Sequence, residues 1–154
     1  MADPVEQLKV WNLAMKLVVQ VYEVTGHFPA EERFGLSQQL RRAAVAIPAN
    51  IAEGNARNYP REYVQYCHIA RGSIAEVKCL LRISLNLGFL TEDEFRVLFA
   101  AYDQLGRMLQ ALINQLAKRL TRHSVNRKPD QSPVPSPAVS LSQRQGASCV
   151  RRAG

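Results

Sequence analysis

The sequence predicts an all-α fold, an antiparallel up-down-up-down four-helix bundle followed by a disordered C-terminal tail. Three observations predict it. Four long segments carry apolar residues at spacings of three and four, and short breaks rich in Gly and Pro separate them. No segment alternates with the two-residue period of a strand. The connections are so short that consecutive helices must run antiparallel.

The first helix is expected over about residues 4–25. Asp3 can cap it, Pro4 suits the first turn, and Glu6 stands three residues past the cap. Leu8, Trp11, Met15, Val18 and Tyr22 form its stripe, widened by Leu17, Val21 and Val24. Gly26 is read as a left-handed cap, with Pro29 just beyond it. The second helix is expected to start near Glu31 and Glu32, acidic residues suited to a helix N-terminus. Phe34, Leu36, Leu40, Ala44, Ile47 and Ile51 mark its buried side. Pro48 interrupts it, since an interior proline costs ~3 kcal/mol and bends a helix. The apolar spacing continues in phase from Ile47 to Ile51, which favours one kinked helix over two.

Asn58, Tyr59 and Pro60 lead into a third helix over about residues 59–87, lined by Tyr63, Tyr66, Ala70, Ser73, Val77, Leu80, Leu81, Ser84 and Leu87. Gly72, beside Ser73 and Ala75, is expected to let a neighbouring helix come close. Gly88 ends the helix. Thr91 and Glu94 form a capping box for the fourth, whose stripe runs Phe95, Leu98, Phe99, Tyr102, Leu105, Leu109, Leu112, Leu116 and Leu120 to about His123.

The chain divides into a bundle, residues 1–124, and a tail, residues 125–154, rich in Pro, Ser and Gln and without a stripe. The bundle holds 15 Lys and Arg against 12 Asp and Glu, and the tail 5 against 1, so the tail supplies more than half of the +7 charge. The tail reads equally as a basic arm or as an extension without a role. No apolar run reaches the ~18–20 residues of a membrane span. The N-terminus lacks a signal-peptide pattern, and a cytoplasmic protein is expected. Cys67, Cys79 and Cys149 include no CxxC pair, which argues for a reducing compartment and for buried thiols rather than zinc ligands.

Catalysis finds no constellation. His27, His68 and His123 lie in separate segments, and HExxH, GxSxG, GxxxxGK[ST] and GxGxxG are all absent. Glu53 and Glu62 belong to no ExxH pair of a di-iron bundle. Enzymatic activity, a cofactor, a metal and a small-molecule substrate are therefore not expected. The basic residues carry more. Arg96, Arg107 and Lys118 recur every eleven residues, close to three helical turns, and so share a face. Arg119 and Arg122 extend it. Arg61, Arg71, Lys78 and Arg82 fall along a broadly shared face of helix three with His68, while Arg41 and Arg42 are paired on helix two, and Arg57 and Arg61 flank the next loop. These faces suit phosphate contact. With Glu62, Glu76 and Asp103 interleaved they equally suit a solvated surface. Tyr59 offers a stacking platform for a base or a packing residue for the loop.

Pro48, Asn50, Glu53 and Gly54 fall within RRAAVAIPANIAEG, residues 41–54. This stretch, with LKVWNLAMKLVVQVYEVT at 8–25, FPAEERFGLSQQLRRAAVAIPANIAEGNAR at 28–57 and SIAEVKCLLRISLNLGFL at 73–90, resembles the bacterial four-helix bundle proteins first described as 23S rRNA-intervening-sequence proteins. A more distant similarity is to the accessory variability determinant of diversity-generating retroelements. The resemblance implies a bundle that assembles into a homopentamer and has no enzymatic activity. It also implies, by analogy with the retroelement accessory proteins, contact with RNA or DNA or with a reverse transcriptase. Asn50, Glu53 and Asn55 read as partners for backbone groups freed by Pro48, as a helix cap, or as partners for Arg41 or Arg42 of a second copy. Two functions stay open: a self-associating bundle that binds nucleic acid through basic helix faces, and a structural or adaptor oligomer with a protein partner.

Overall fold

The computed structural model describes residues 4–125, with side chains described for 4–122. The proposed tail lies outside the described residues. Four α-helices, α1 (Lys9–Thr25), α2 (Leu36–Ala56), α3 (Pro60–Asn86) and α4 (Glu92–Val125), form the fold, and 3-10 helices at Pro4–Gln7 and Ala30–Phe34 precede α1 and α2. No strand occurs among the described residues. α2 lies along α3, α3 along α4, α1 along α2, and α1 closes onto α4. Lys78 of α3 meets Asp103 of α4 while Arg71 meets Gln110 further along, which fixes the antiparallel sense of that pair. The all-α antiparallel bundle is as the sequence predicts.

The core runs along the centre of the bundle. Val21, Leu40, Ile51, Cys67, Ala70, Val77, Leu81, Tyr102, Leu105 and Leu109 are wholly buried in it. At one pole the α1–α2 and α3–α4 connections pack together, with the Phe28 and Phe89 rings 5.5 Å apart. The capping box of α4 forms as expected. The Thr91 N–H donates to Glu94 Oε2 at 2.8 Å and the Glu94 N–H to Thr91 Oγ1 at 3.2 Å. The Thr91 N–H, and the Thr91 hydroxyl that donates to the same Oε2 at 2.9 Å, hold the Glu94 carboxyl below the usual carboxylate range. Gly88 ends α3 in the left-handed region, at φ 74°, where glycine alone is unstrained.

Several expectations need correction. The first helix is not continuous from residue 4. A 3-10 turn drives Val5 into the core, Leu8 is extended (φ −81°, ψ 114°), and α1 begins at Lys9 without a side-chain cap bond. Asp3 lies outside the described residues. The α1 stripe is rotated: Val10, Ala14, Leu17, Val21 and Thr25 face the core, whereas Met15 and Tyr22 are 41% and 47% exposed. Apolar residues cover all of α1 except the stripe of Lys9, Asn12, Lys16, Gln20 and Glu23, so spacing alone left the centre of its buried face ambiguous. Gly26 is right-handed (φ −64°, ψ −23°), because the helix end unwinds through the His27 N–H to Val24 O and Phe28 N–H to Thr25 O bonds rather than reversing.

Glu31 and Glu32 do not open α2 but sit in the preceding 3-10 helix, where the Glu32 carboxylate reaches forward to the Leu36 N–H at 2.9 Å. Phe34 belongs to that short helix, out of phase with α2, and is exposed rather than buried. α2 then runs unbroken through Pro48. Leu87, at the α3 C-cap, is exposed where the stripe placed it inside. Cys79 is exposed, being twelve residues, about a third of a turn out of phase, from buried Cys67. Gly72 allows no close approach, since a Cβ there meets nothing within 4 Å. The close approach is at Gly54, where a Cβ would stand 2.7 Å from Tyr63 Cδ2 and 2.8 Å from Tyr66 Cβ. Gly54 thus lets α3 lie directly on α2.

Candidate functional site

The basic residues divide by what they touch. On α3, Arg71, Lys78 and Arg82 are spaced seven and four apart and so lie on one line beside α4. Arg71 Nη1 donates to Gln110 Oε1 at 2.6 Å and Lys78 pairs with Asp103. The Lys78 ammonium stands 4.5 Å from the Phe99 ring centre, and the Arg82 guanidinium lies 4.5 Å over Phe95 and 5.3 Å over Phe99. These three cations cover the α3–α4 seam with their stems, and their charge is partly spent there.

Arg57 joins a second cluster built by the end of α2 and the start of α3. Tyr66 Oη donates to Glu53 Oε1 at 2.7 Å, and Arg57 Nη2 donates to Glu53 Oε1 at 2.6 Å and to Tyr66 Oη at 2.9 Å. The Tyr66 hydroxyl, then Arg57, holds the Glu53 carboxyl below the ordinary carboxylate range. Beneath this cluster lies Gly54. Glu53 and Gly54 thus join α2 to α3, while Asn50 Nδ2 donates to the Ala46 carbonyl at 2.7 Å, one turn back across the buried Pro48. Arg96 pairs with Asp93 within α4.

A third group stays open. Arg42, Arg61, Arg107, Lys118 and Arg122 are exposed and their side chains make no hydrogen bond or ion pair among the described residues, and Arg119 is exposed beside them. From Gln104 to Arg122 α4 carries Arg107, Lys118, Arg119 and Arg122 and no acidic residue. The antiparallel order brings the starts of α1 and α3 and the ends of α2 and α4 to one pole. There Lys9, Arg57, Arg61, Lys118, Arg119 and Arg122 outnumber Glu6, Glu53 and Glu62. At the other pole Glu23, Glu31, Glu32, Glu92, Asp93 and Glu94 stand with Arg33, Arg41, Arg42, Arg82 and Arg96, so the acids hold only a slight excess there. The charge is therefore polarised along the bundle. Arg96, though on the same face of α4 as Arg107 and Lys118, stands at this second pole. Tyr59 is exposed beside Arg61.

Arg41 and Arg42 open a different feature, a cleft of about 600 Å³ between α1, α2 and the 3-10 helix before α2. It is lined by Tyr22, Arg33, Phe34, Gln38, Arg41, Arg42, Val45 and Ala46, with no carboxylate. Arg41 Nε donates to Thr25 Oγ1 at 2.7 Å, and its guanidinium lies 4.8 Å over the Tyr22 ring. Arg33 stands 5.7 Å from the Phe34 ring centre. Tyr22, Arg33 and Phe34 were missed as surface residues, because helical spacing assigns the two rings to the core. The signal available in the sequence was Gly35, which separates Phe34 from the α2 stripe.

The described residues contain no group of three or more His, Cys, Asp and Glu placed to hold a metal, and no helix among them is long and apolar enough to cross a membrane.

Residues 6–111 match the family model described as 23S rRNA-intervening sequence protein. Among solved structures, the fold is similar to a crystal structure of a protein with unknown function from the S23 ribosomal protein family of Bacteroides thetaiotaomicron. The two share 17% identity with a TM-score of 0.64, over 68% of this chain and 97% of that one. No curated protein matches the sequence.

Proposed function

The chain belongs to the 23S rRNA-intervening sequence protein family, and from that premise we propose that it is a non-enzymatic, self-associating helical bundle that contacts RNA or DNA through basic helix surface. The observation that carries the reading is the second half of α4, Gln104–Arg122. It presents Arg107, Lys118 and Arg122 with no acidic residue in that stretch and no side-chain hydrogen bond or ion pair among the described residues, the nearest acid on the helix, Asp103 one turn before Arg107, being paired with Lys78. Cations left unpaired on a continuous face displace counterions from phosphates, and that release drives sequence-independent binding. The seam cations Arg71, Lys78 and Arg82 contribute less, because they already rest on Asp103, Gln110, Phe95 and Phe99.

Self-association is supported by apolar side chains exposed along α3. Ile69 and Leu87 are 47% and 54% exposed and eighteen residues apart, five full turns, so they lie on one line with Ile83 beside it. The proposed assembly has five copies, the order that the family resemblance implies, and acts in the cytoplasm. A second reading, an adaptor whose partner is a protein such as a reverse transcriptase, is favoured by one feature. The α1–α4 groove exposes Val97 beside Val24 and Leu98, with Glu23, Asp93 and Glu94 at its rim.

Fluorescence anisotropy with labelled duplex and single-stranded probes separates the two. Reversing Arg107, Lys118 and Arg122 together to Glu should abolish binding of the duplex at 150 mM salt and weaken that of the single strand while the far-UV circular dichroism stays helical. Undiminished binding by that variant refutes the basic-face reading, and a wild-type protein that binds neither probe but holds a purified reverse transcriptase favours the adaptor.

A further inference from the structure

The geometry points to the arginine–aromatic cleft of α1 and α2 as a seat for single-stranded nucleic acid, with bases against Phe34 and Tyr22 and phosphates against Arg33, Arg41 and Arg42. This deepens the function proposed above and rests on it, but assigns a different surface from α4 and a different mode of contact.

Two rings that a bundle would ordinarily bury are left in water here. Phe34 is 80% exposed and Tyr22 47%. Both stand at one cleft with three guanidiniums and the Gln38 amide, and no carboxylate lines it. Glu32, in the adjoining 3-10 helix, is engaged in accepting the Leu36 N–H, and Glu76 lines a separate pocket on the other side of Arg42. Arg41 is held in place before any ligand arrives. Its Nε is anchored on Thr25 Oγ1, a side chain buried at the end of α1, and its plane rests on Tyr22. This leaves its terminal nitrogens for an anion, and the fixed fork suits a phosphate. The Arg33 and Arg42 side chains make no hydrogen bond or ion pair among the described residues.

The ligand chemistry follows from this mixture. A free inorganic anion would satisfy the guanidiniums and leave the rings wet. A duplex would present phosphates but keep its bases stacked inside. A single strand offers both, a flat π-face for each ring and a phosphate at each nucleotide spacing, the combination used by groove-and-platform binders of single strands. Val45 and Ala46 supply the apolar floor under a base.

The test compares the full chain with two variants, using fluorescein-labelled 15-nucleotide oligo(dT) and oligo(U) and a 15-base-pair duplex. Phe34→Ala changes a side chain that packs on nothing in the core, so its fold is expected to persist, and circular dichroism checks this. A base–aromatic stack lost by alanine substitution weakens single-strand binding about 5- to 150-fold, and duplex binding should stay within about twofold. Arg42→Gln should weaken single-strand binding in the same direction and reduce its salt slope by about 0.7. Equal single-strand affinity for wild type and both variants, with duplex and single-strand binding lost on reversing the α4 cations, overturns the cleft while leaving the proposed function intact. If wild type binds no probe at all, both fall. If Phe34→Ala instead dissolves an oligomer measured by light scattering and leaves the single-strand affinity per chain unchanged, a second copy covers the cleft and the inference is overturned.

Discussion

Gly54, in the last turn of α2, and Gly72, in the middle of α3, should respond to alanine with stability changes of opposite sign. At Gly54 the new methyl would stand 2.7 Å from Tyr63 Cδ2, 2.8 Å from Tyr66 Cβ and 3.3 Å from Tyr63 Cε2. Carbon atoms settle at about 3.5–4.0 Å, so α3 must retreat or the Tyr63 ring must turn. Tyr66 Cβ is fixed to the α3 backbone and cannot swing aside. Overpacking of this kind costs about 1–3 kcal/mol, and two simultaneous clashes place Gly54→Ala near the upper end. Alanine recovers about 1 kcal/mol of helix propensity, which leaves a net loss of about 2 kcal/mol. At Gly72 a Cβ meets nothing within 4 Å, so the propensity gain of about 1 kcal/mol stands alone. For a domain of this size 1 kcal/mol moves the melting temperature by about 4 °C. Followed by circular dichroism at 222 nm, Gly54→Ala should melt about 8 °C below wild type and Gly72→Ala about 4 °C above it. A Gly54→Ala protein at least as stable as wild type would refute the close approach of α2 and α3 on which the geometry of the Glu53 cluster depends.

Tyr66→Phe removes the hydroxyl that does most to hold the Glu53 carboxyl low. The Glu53 carboxyl should then titrate closer to the ordinary range in carboxyl-detected NMR, and an unmoved midpoint would contradict the cluster. Burial pushes the Cys67 thiol up to about 11, so in native protein iodoacetamide should label exposed Cys79 and spare Cys67 until denaturant is added, as peptide mass mapping would show. Burial raises the Tyr63 phenol to about 12 and the Tyr102 phenol in the same direction. Cys67, Tyr63 and Tyr102 are all neutral when protonated and harder to ionise in the fold than in the unfolded chain. Their stabilisation is complete below the unfolded values, about 8.5 for Cys and 10 for Tyr, and is lost as pH rises through the folded ones. Urea midpoints should therefore hold steady to about pH 8 and fall between about pH 9 and 12. A midpoint that rose across that window would reverse the assignment.

The bundle was legible because its signals are local. The Thr91–Glu94 box, the break at Gly88 and the α4 stripe each depend on residues within a few turns of one another, and all appear where the spacing places them. α1 was misread in phase because Met15, Val19 and Tyr22 are as apolar as Val10, Leu17 and Val21, and only the position of α2 and α4 decides which set is covered. The glycines show the same limit. Gly54 and Gly72 look alike along the chain, and contact with Tyr63 and Tyr66 distinguishes them only in three dimensions. For the candidate site, the sequence identified the cations but not their partners. Lys78 and Asp103, or Arg82 and Phe95, are separated by more than a dozen residues and meet only because α3 and α4 are antiparallel. Conversely, Arg41 was legible as a basic residue, while Tyr22 and Phe34 beside it were assigned to the core.

The central claim, phosphate contact through the open cations of α4, is tested most directly by the salt dependence of duplex binding. If Arg107, Lys118 and Arg122 of one copy each displace a counterion, the plot of log affinity against log salt should have a slope of about −2.7 or steeper, a loss of about 40-fold between 50 and 200 mM. The Lys118→Glu chain should lose about one unit of that slope. A duplex affinity independent of salt, or a slope that the Lys118→Glu change leaves untouched, would contradict the account.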